Sequence, residues 1–509
     1  MILLRDKENN KEFGDYQTPL CLSSVIVEYI KKELSYIPDV ILEPTCGVGS
    51  FIKAVNTKFE NSLIIGNEID KKYVQEVKKI VPENKNKIII YNNNYFKWEE
   101  KPIIEKNSKL LVVGNPPWVT NSSMSLLMGD NIPQKSNFKQ FKGIDAITGS
   151  SNFDISEYII LDLINEYYLN NPLIVMICKT NVAINVFKHM HGNNIGADFI
   201  KIKNIDASKS FNVSVDASIL FIKLNCNNQK VNYMEWVGDK NQGKKTGYVN
   251  ESFYMDLSRK KNILDGKTEI EWRQGIKHDS SRIMELNFFN RDEYINGLKN
   301  KIILEDDRIY PLVKSSHFKF PIINSFKKYV IVTQDFLKQD TSYIKDAHPK
   351  LWKYLNDNIE HFENRKSSIY KNSPNFSMFG IGEYTWKPYK IGVSGFYKDP
   401  MFSLLVNKKP VMLDDTGYFL GFDDYDVAYT IMIVLNSEEV KSFLKQISNL
   451  NAKRPYTKKI LSRISLKKGL ELLPYEVTKK IEKSLGLESY LTKEIYIKTM
   501  IFVNLKYNN

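Results

Sequence analysis

Between Val40 and Leu224, short apolar runs rich in Ile, Val and Leu recur at intervals filled by helix-length amphipathic stretches. Six of these runs have strand length: Val40-Ile41-Leu42, Leu63-Ile64-Ile65, Ile88-Ile89-Ile90, Leu110-Leu111-Val112-Val113, Leu173-Ile174-Val175-Met176-Ile177 and Ala217-Ser218-Ile219-Leu220-Phe221-Ile222. Strands that are apolar throughout are buried on both faces, which requires helices above and below them. The pattern therefore predicts an α/β fold with a doubly wound, mostly parallel sheet. The chain has 509 residues, more than one core organises, so at least two domains are expected. The expected boundaries are 1–240, a connecting region over 241–300 and a second domain over 301–509. The polar stretch Gly238-Asp239-Lys240-Asn241-Gln242-Gly243-Lys244-Lys245 marks the connection. The second half interleaves aromatic residues and lysines with Gly and Pro turns, as in Phe379-Gly380-Ile381-Gly382-Glu383-Tyr384-Thr385-Trp386, and reads as mixed α+β. The stretch Val119 to Asp154 is rich in Ser, Asn, Gly and Lys; its length suits either a substrate-contacting loop or a plain insertion.

A formal charge of +13 favours a polyanionic partner, since released counterions drive binding to nucleic acid. No apolar run approaches bilayer-spanning length, and charges of both signs occupy Met1 to Glu8, where an export signal needs an apolar core. A cytoplasmic protein without membrane contact is expected. The four cysteines, Cys21, Cys46, Cys178 and Cys226, have no CxxC spacing, and the six histidines have no partner spacing. Neither disulfides nor a metal site is expected.

Three signals sit at the ends of predicted strands. In Glu43-Pro44-Thr45-Cys46-Gly47-Val48-Gly49-Ser50-Phe51, two glycines let the backbone turn tightly and approach a ligand. The third glycine of a dinucleotide loop is missing, which disfavours a pyrophosphate, while Glu43 at the strand end suits a cationic ligand. In Gly66-Asn67-Glu68-Ile69-Asp70, Glu68 can accept hydrogen bonds from both hydroxyls of a ribose. In Gly114-Asn115-Pro116-Pro117-Trp118, two prolines fix a rigid turn. An exocyclic amine on a purine is a weak nucleophile, because its lone pair is delocalised into the ring. The Asn115 side-chain oxygen and the Pro116 carbonyl can each accept one N–H of such an amine, and the Trp118 face can stack on the base and attract developing positive charge.

These residues resemble the amino-methyltransferases that use S-adenosylmethionine, whose catalytic motif is Asp, Asn or Ser followed by Pro-Pro and an aromatic residue. Phe13-Gly14-Asp15-Tyr16-Gln17-Thr18-Pro19 resembles an N-terminal cofactor motif, and the order of motifs, with a large region after them, is that of the gamma class of N6-adenine DNA methyltransferases. The resemblance implies a fold of the class I S-adenosylmethionine-dependent type, with the C-terminal region recognising target DNA. Carried across residue by residue, it places Thr18, Glu43, Cys46, Gly47, Glu68 and Ile69 along the cofactor, with Pro117 near its adenine. The acid that holds the cofactor adenine in the family corresponds to Asn94, within Asn92-Asn93-Asn94-Tyr95-Phe96; an amide accepts a weaker hydrogen bond there, and Tyr95 follows it along the cofactor. Ser210-Phe211-Asn212-Val213 resembles the motif whose aromatic residue forms the other wall of the base pocket, so a flipped adenine is expected to lie between Trp118 and Phe211, stacked on both faces. Phe211 as a core residue before the last strand stays open.

The function implied is site-specific methylation of the adenine N6 amine in double-stranded DNA by a monomer, in restriction-modification or phage defence, with a separate restriction endonuclease as an allowed partner. Methylation of RNA bases or protein glutamine remains open, as does a DNA-binding specificity component with a decayed site, for which Asn94 is the sequence support.

Overall fold

The computed structural model describes residues 16–80, 86–119, 154–238, 243–258, 263–290 and 293–507. Phe13-Gly14-Asp15, most of the stretch from Val119 to Asp154, and residues 239–242 of the expected connection therefore lie outside the described residues. The chain divides into two compact units, Met1–Ser258 and Arg259–Asn509.

The first unit is built on a ten-stranded sheet, β1 (Val40–Glu43), β2 (Leu63–Asn67), β3 (Lys87–Tyr91), β4 (Leu110–Gly114), β5 (Leu173–Lys179), β6 (Ala197–Ile205), β7 (Ala217–Leu224), β8 (Tyr233–Trp236), β9 (Lys245–Val249) and β10 (Ser252–Tyr254). Their spatial order is 10-9-8-6-7-5-4-1-2-3. β3, β2, β1, β4 and β5 run parallel, and β7 inserts antiparallel between β5 and β6. All six predicted strands are present. Their apolar residues alternate between two cores, as a sheet covered on both faces requires. Leu42, Val112, Ile174 and Leu220 pack on one side with α4 (Ile155–Tyr167) and α5 (Thr180–Gly192). Ile41, Leu111, Val175 and Phe221 pack on the other with α1 (Leu20–Lys32) and α2 (Ser50–Lys58). The remaining helices, α3 (Lys71–Ile80) and α6 (Ala207–Phe211), follow β2 and β6.

The expected boundary at residue 240 moves. The sequence from 245 to 254 forms β9 and β10, which extend the first sheet through β8, so the start of the supposed connection is part of the first fold. The remainder belongs to the second unit, where Arg273–Gln274, Glu285–Asn290 and Glu293–Asn296 are already strands β11, β12 and β13. The polar composition that suggested a linker is that of an edge hairpin, one face of which needs no burial.

The second unit is mixed α+β, as expected. A six-stranded sheet contains β12, β13, β14 (Lys301–Ile303), β15 (Ile309–Val313), β17 (Lys328–Ile331) and β20 (Met412–Leu413). A five-stranded sheet contains β11, β16 (Ile322–Ile323), β18 (Tyr389–Ser394), β19 (Ser403–Leu405) and β21 (Gly417–Phe422). Helices fill residues 425–507, beginning with the buried Tyr425–Leu435, whose N-terminus is capped by Asp424 accepting from the Val427 N–H at 3.1 Å. No helix among the described residues is long and apolar enough to cross a membrane, and no group of His, Cys, Asp and Glu among them is arranged to hold a metal.

Gly247 makes the hairpin assignment testable. A Cβ on this β9 residue would stand 2.1 Å from the Asn232 carbonyl oxygen and 2.5 Å from the Tyr233 Cα. Gly247→Ala is expected to destabilise the first unit by about 1–3 kcal/mol. Thermal unfolding with and without S-adenosylmethionine checks this: the transition that the cofactor raises should fall by several degrees.

Candidate active site

Parallel pairing sets the site. Glu43 of β1 lies level with Gly66 of β2, and Leu42 with Val112 of β4, so the loops leaving all three strands open at the same sheet edge. They border an open cavity whose empty space, solvent at its mouth included, is about 1060 Å³. Of the residues expected along the cofactor, Thr18, Glu43, Cys46, Gly47, Glu68 and Ile69 line it, together with Tyr95, Pro117 and Asn115.

The glycine loop is held from two sides. Its Gly47 N–H donates to Glu68 Oε2 at 2.8 Å, and its Val48 N–H donates to Gln17 Oε1 at 3.0 Å. Glu68 also accepts the Asp70 N–H on Oε1 at 2.9 Å, and it lines the cavity. Glu43 is buried and accepts the Ile52 N–H of α2 at 3.1 Å. Burial pushes its carboxyl above the ordinary range, opposed by that hydrogen bond and reinforced by the nearby Glu68. Burial likewise raises the Cys46 thiol, with the Glu43 and Glu68 carboxylates adding to the effect, so Cys46 is a wall and not a nucleophile.

Asn94 is not among the cavity residues. Its Oδ1 accepts the Phe96 N–H at 3.0 Å, capping the single turn Tyr95–Lys97, while Asn93 reaches the cavity instead. Tyr95 offers only its ring, because its hydroxyl donates to Asp162 Oδ2 at 2.6 Å. Tyr16, Gln17, Asn67 and Tyr73 also line the cavity without having been singled out in the sequence. For Gln17 a signal existed, since it directly precedes Thr18. Asn67 gave none: its side chain links the loops by donating to the Pro44 and Asn93 carbonyls, both at 3.2 Å.

The turn after β4 is anchored at Asn115. Its Nδ2 donates to the Tyr16 carbonyl at 2.9 Å, which fixes the orientation of the amide. The other end, Oδ1, is buried and has no hydrogen-bond partner among the described residues. A buried, unpartnered acceptor is costly unless a donor arrives. Pro116 is buried and is not among the residues that line the cavity.

The expected stacking slot differs. Trp118 is buried, with its ring centroid 5.1 Å from that of Phe211 and the planes inclined at 68°, and Tyr16 touches it at 5.7 Å. A base held between two parallel rings needs them about 7 Å apart, two van der Waals spacings. In this arrangement the two rings meet edge to face and fill the space themselves, so a base stacks on both only after Phe211 moves. Phe211 ends α6, immediately before Asn212 in the left-handed conformation, and packs against the core, which is the alternative the sequence left open.

The cavity fits S-adenosylmethionine: acids for a cationic ligand, a carboxylate for a ribose, aromatic rings for a purine, and a loop with no Cβ in the way. Gly47 has φ +52°, and a Cβ there would stand 2.4 Å from Gln17 Oε1. Gly47→Ala is expected to weaken S-adenosylmethionine binding about tenfold, from a left-handed backbone penalty of about 1–2 kcal/mol. Calorimetric titration of the full-length protein checks this.

No family model matches the chain. It is 37% identical over 476 residues to the type II methyltransferase M.NspV of Nostoc sp. (strain ATCC 29411 / PCC 7524), across 91% of this chain and 98% of that protein. A shorter match, 31% over 114 residues, relates 22% of the chain to 27% of the type II methyltransferase M.CvrRI of Paramecium bursaria Chlorella virus XZ-6E. Among solved structures, the type IIL restriction-modification enzyme MmeI in complex with DNA shares the fold, with a TM-score of 0.55 at 13% identity, over 98% of this chain and 74% of that one. With its cofactor cavity and a relative matched over nearly its whole length, the chain belongs to the type II methyltransferases and takes S-adenosylmethionine as its methyl donor.

Proposed function

We propose that this methyltransferase transfers a methyl group to the N6 amine of adenine in duplex DNA, with the second unit recognising the target. The observation that carries the reading is the Asn115 amide: its N–H end is committed to the Tyr16 carbonyl, and its oxygen is buried with no partner among the described residues. That oxygen suits an acceptor bearing N–H groups. Accepting one of them localises the nitrogen lone pair and stabilises positive charge as the amine is alkylated. The Pro116 carbonyl is the candidate for the second N–H, and the Trp118 ring for stacking on the base. Bound S-adenosylmethionine supplies an electrophilic sulfonium methyl. Glu68, Thr18 and the Gly47 loop hold the cofactor, while Asn115 and Pro117, which line the same cavity, bring the acceptor to it. Asn94, Pro116 and Phe211 keep their expected roles only through contacts made when ligands bind.

Charge supports the polyanionic substrate. The first unit has 30 Lys and Arg against 29 Asp and Glu, whereas the second has 42 against 30, which is +12 of the chain's +13. A unit so charged suits phosphate contacts. Membership among type II methyltransferases and the fold shared with a DNA-bound restriction-modification enzyme support the same substrate. A flipped base follows from it, because an amine inside a duplex cannot reach a recessed turn.

The test is methyl transfer from labelled S-adenosylmethionine to duplex DNA, RNA and protein, followed by nucleoside digestion. N6-methyladenine in DNA alone is expected. Label confined to RNA, protein or N4-methylcytosine would refute the proposal. Asn115→Ala is expected to lower the rate about 100-fold, the scale for losing one preorganised hydrogen-bonding group, with S-adenosylmethionine affinity changed only a few-fold.

A further inference from the structure

Lys179, the last residue of β5, belongs to none of the motifs above. Its ammonium donates to the Trp118 carbonyl at 3.1 Å and to Asp154 Oδ2 at 2.6 Å. Asp154 turns its other oxygen to the Ser156 N–H at 3.1 Å, capping α4, and the Ile155 N–H donates to the Val119 carbonyl at 2.9 Å. Ile155 and Ile159 of α4 line the cofactor cavity. One ammonium thus joins the exit of the catalytic turn to a helix that walls the cofactor site. Thr180 extends the junction, since its N–H donates to the Asp216 carbonyl at 2.9 Å and its hydroxyl meets Ser218 Oγ at 2.7 Å. That bond secures the segment following Phe211.

Stability alone does not call for this arrangement. The Lys179 side chain is 27% exposed and that of Asp154 only 9%. Desolvating such a pair offsets most of its attraction, and an apolar residue of similar volume often serves stability as well. An apolar residue cannot, however, set the direction of the peptide after Trp118. Pro116 and Pro117 have fixed φ angles, so the turn between Asn115 and Trp118 has few torsions in which to absorb a rotation at its far end.

We infer that Lys179 is a positioning residue for methyl transfer: paired with Asp154, it fixes the peptide after Trp118 and, through the rigid Pro-Pro turn, the acceptor oxygen of Asn115. The inference rests on the proposed role of Asn115. A small displacement of reacting groups costs rate much more than affinity.

The experiment uses the full-length protein with Lys179→Met, Lys179→Arg and the near-isosteric Asp154→Asn. Single-turnover transfer is measured on whichever acceptor the wild type methylates, and S-adenosylmethionine affinity is measured alongside. Lys179→Met and Asp154→Asn are expected to slow transfer about 30-fold, within the range for misplacement near 1 Å, with cofactor affinity held within about threefold. Lys179→Arg, able to reach both oxygens, is expected to recover most of the rate. Wild-type rates in Lys179→Met, or affinity lost in proportion to rate, would overturn the inference in favour of a structural role. Should Lys179→Met fail to fold, Asp154→Asn decides on the same two measurements. Trp118 emission, isolated by difference from Trp118→Phe forms, should shift in both pair-breaking variants whatever the acceptor; unchanged emission would also overturn it. A wild type that methylates another amine would refute the adenine assignment while leaving the rate ratios readable, so the two failures are distinct.

Discussion

Everything at the site depends on β1 pairing in parallel with β4 on one side and β2 on the other. Parallel neighbours deliver their C-terminal ends to one edge, so the first residues after three strands far apart in sequence converge there. The same pairing forces the strands to be apolar on both faces, with residues alternating between two helix-covered cores. Rigid strands then hold loops whose polar side chains are buried and mutually bonded: Glu68 to the Gly47 N–H, Asn67 to the Pro44 carbonyl, Asn115 to the Tyr16 carbonyl. The chemistry needs precision, and it comes from strand register before any individual contact.

What was legible in the sequence follows from the same physics. Strands buried on both sides are written as continuous apolar runs, and all six such runs are strands in the structure. β6 escaped notice because Lys201, Lys203 and Asn204 interrupt its apolar residues, as a strand next to the sheet's antiparallel extension permits. β9 and β10 read as linker because the hairpin begins on an exposed lysine, Lys245, and has a glycine, Gly247, where neighbouring backbone leaves no room for a side chain. The glycine loop and the Pro-Pro turn were legible because each concentrates its special residues within a few positions. Asn67 and Lys179 were not, since each matters only through partners at least 23 positions away, and Gln17, though it precedes Thr18, bonds a residue 31 positions away. The inclination of Phe211 against Trp118 is likewise a packing outcome, which motif order does not encode.

Charge is divided as sharply as topology. The first unit is nearly neutral, so its site discriminates by buried hydrogen-bonding groups, where each unmet donor or acceptor is expensive. The second unit has nearly all of the excess positive charge, whose attraction is long-ranged at low salt and screened at high salt. Under the proposed division of roles, capture and chemistry rest on different forces: one tolerant of geometry, the other dependent on it.

Tyr16, Gln17 and Thr18 make a thermodynamic connection that neither ligand makes alone. The first orients the Asn115 amide, the proposed catalytic group, through its carbonyl, the second bonds the Val48 N–H of the glycine loop, and the third lines the cavity itself. Where one ligand orders this tripeptide, the entropic cost of ordering it for the other is lowered. Linkage then makes the effect reciprocal: whatever factor the cofactor contributes to acceptor affinity through these three residues, the acceptor must return to the cofactor. Any coupling between the two substrates carried by these three adjacent peptide units would therefore act equally in both directions.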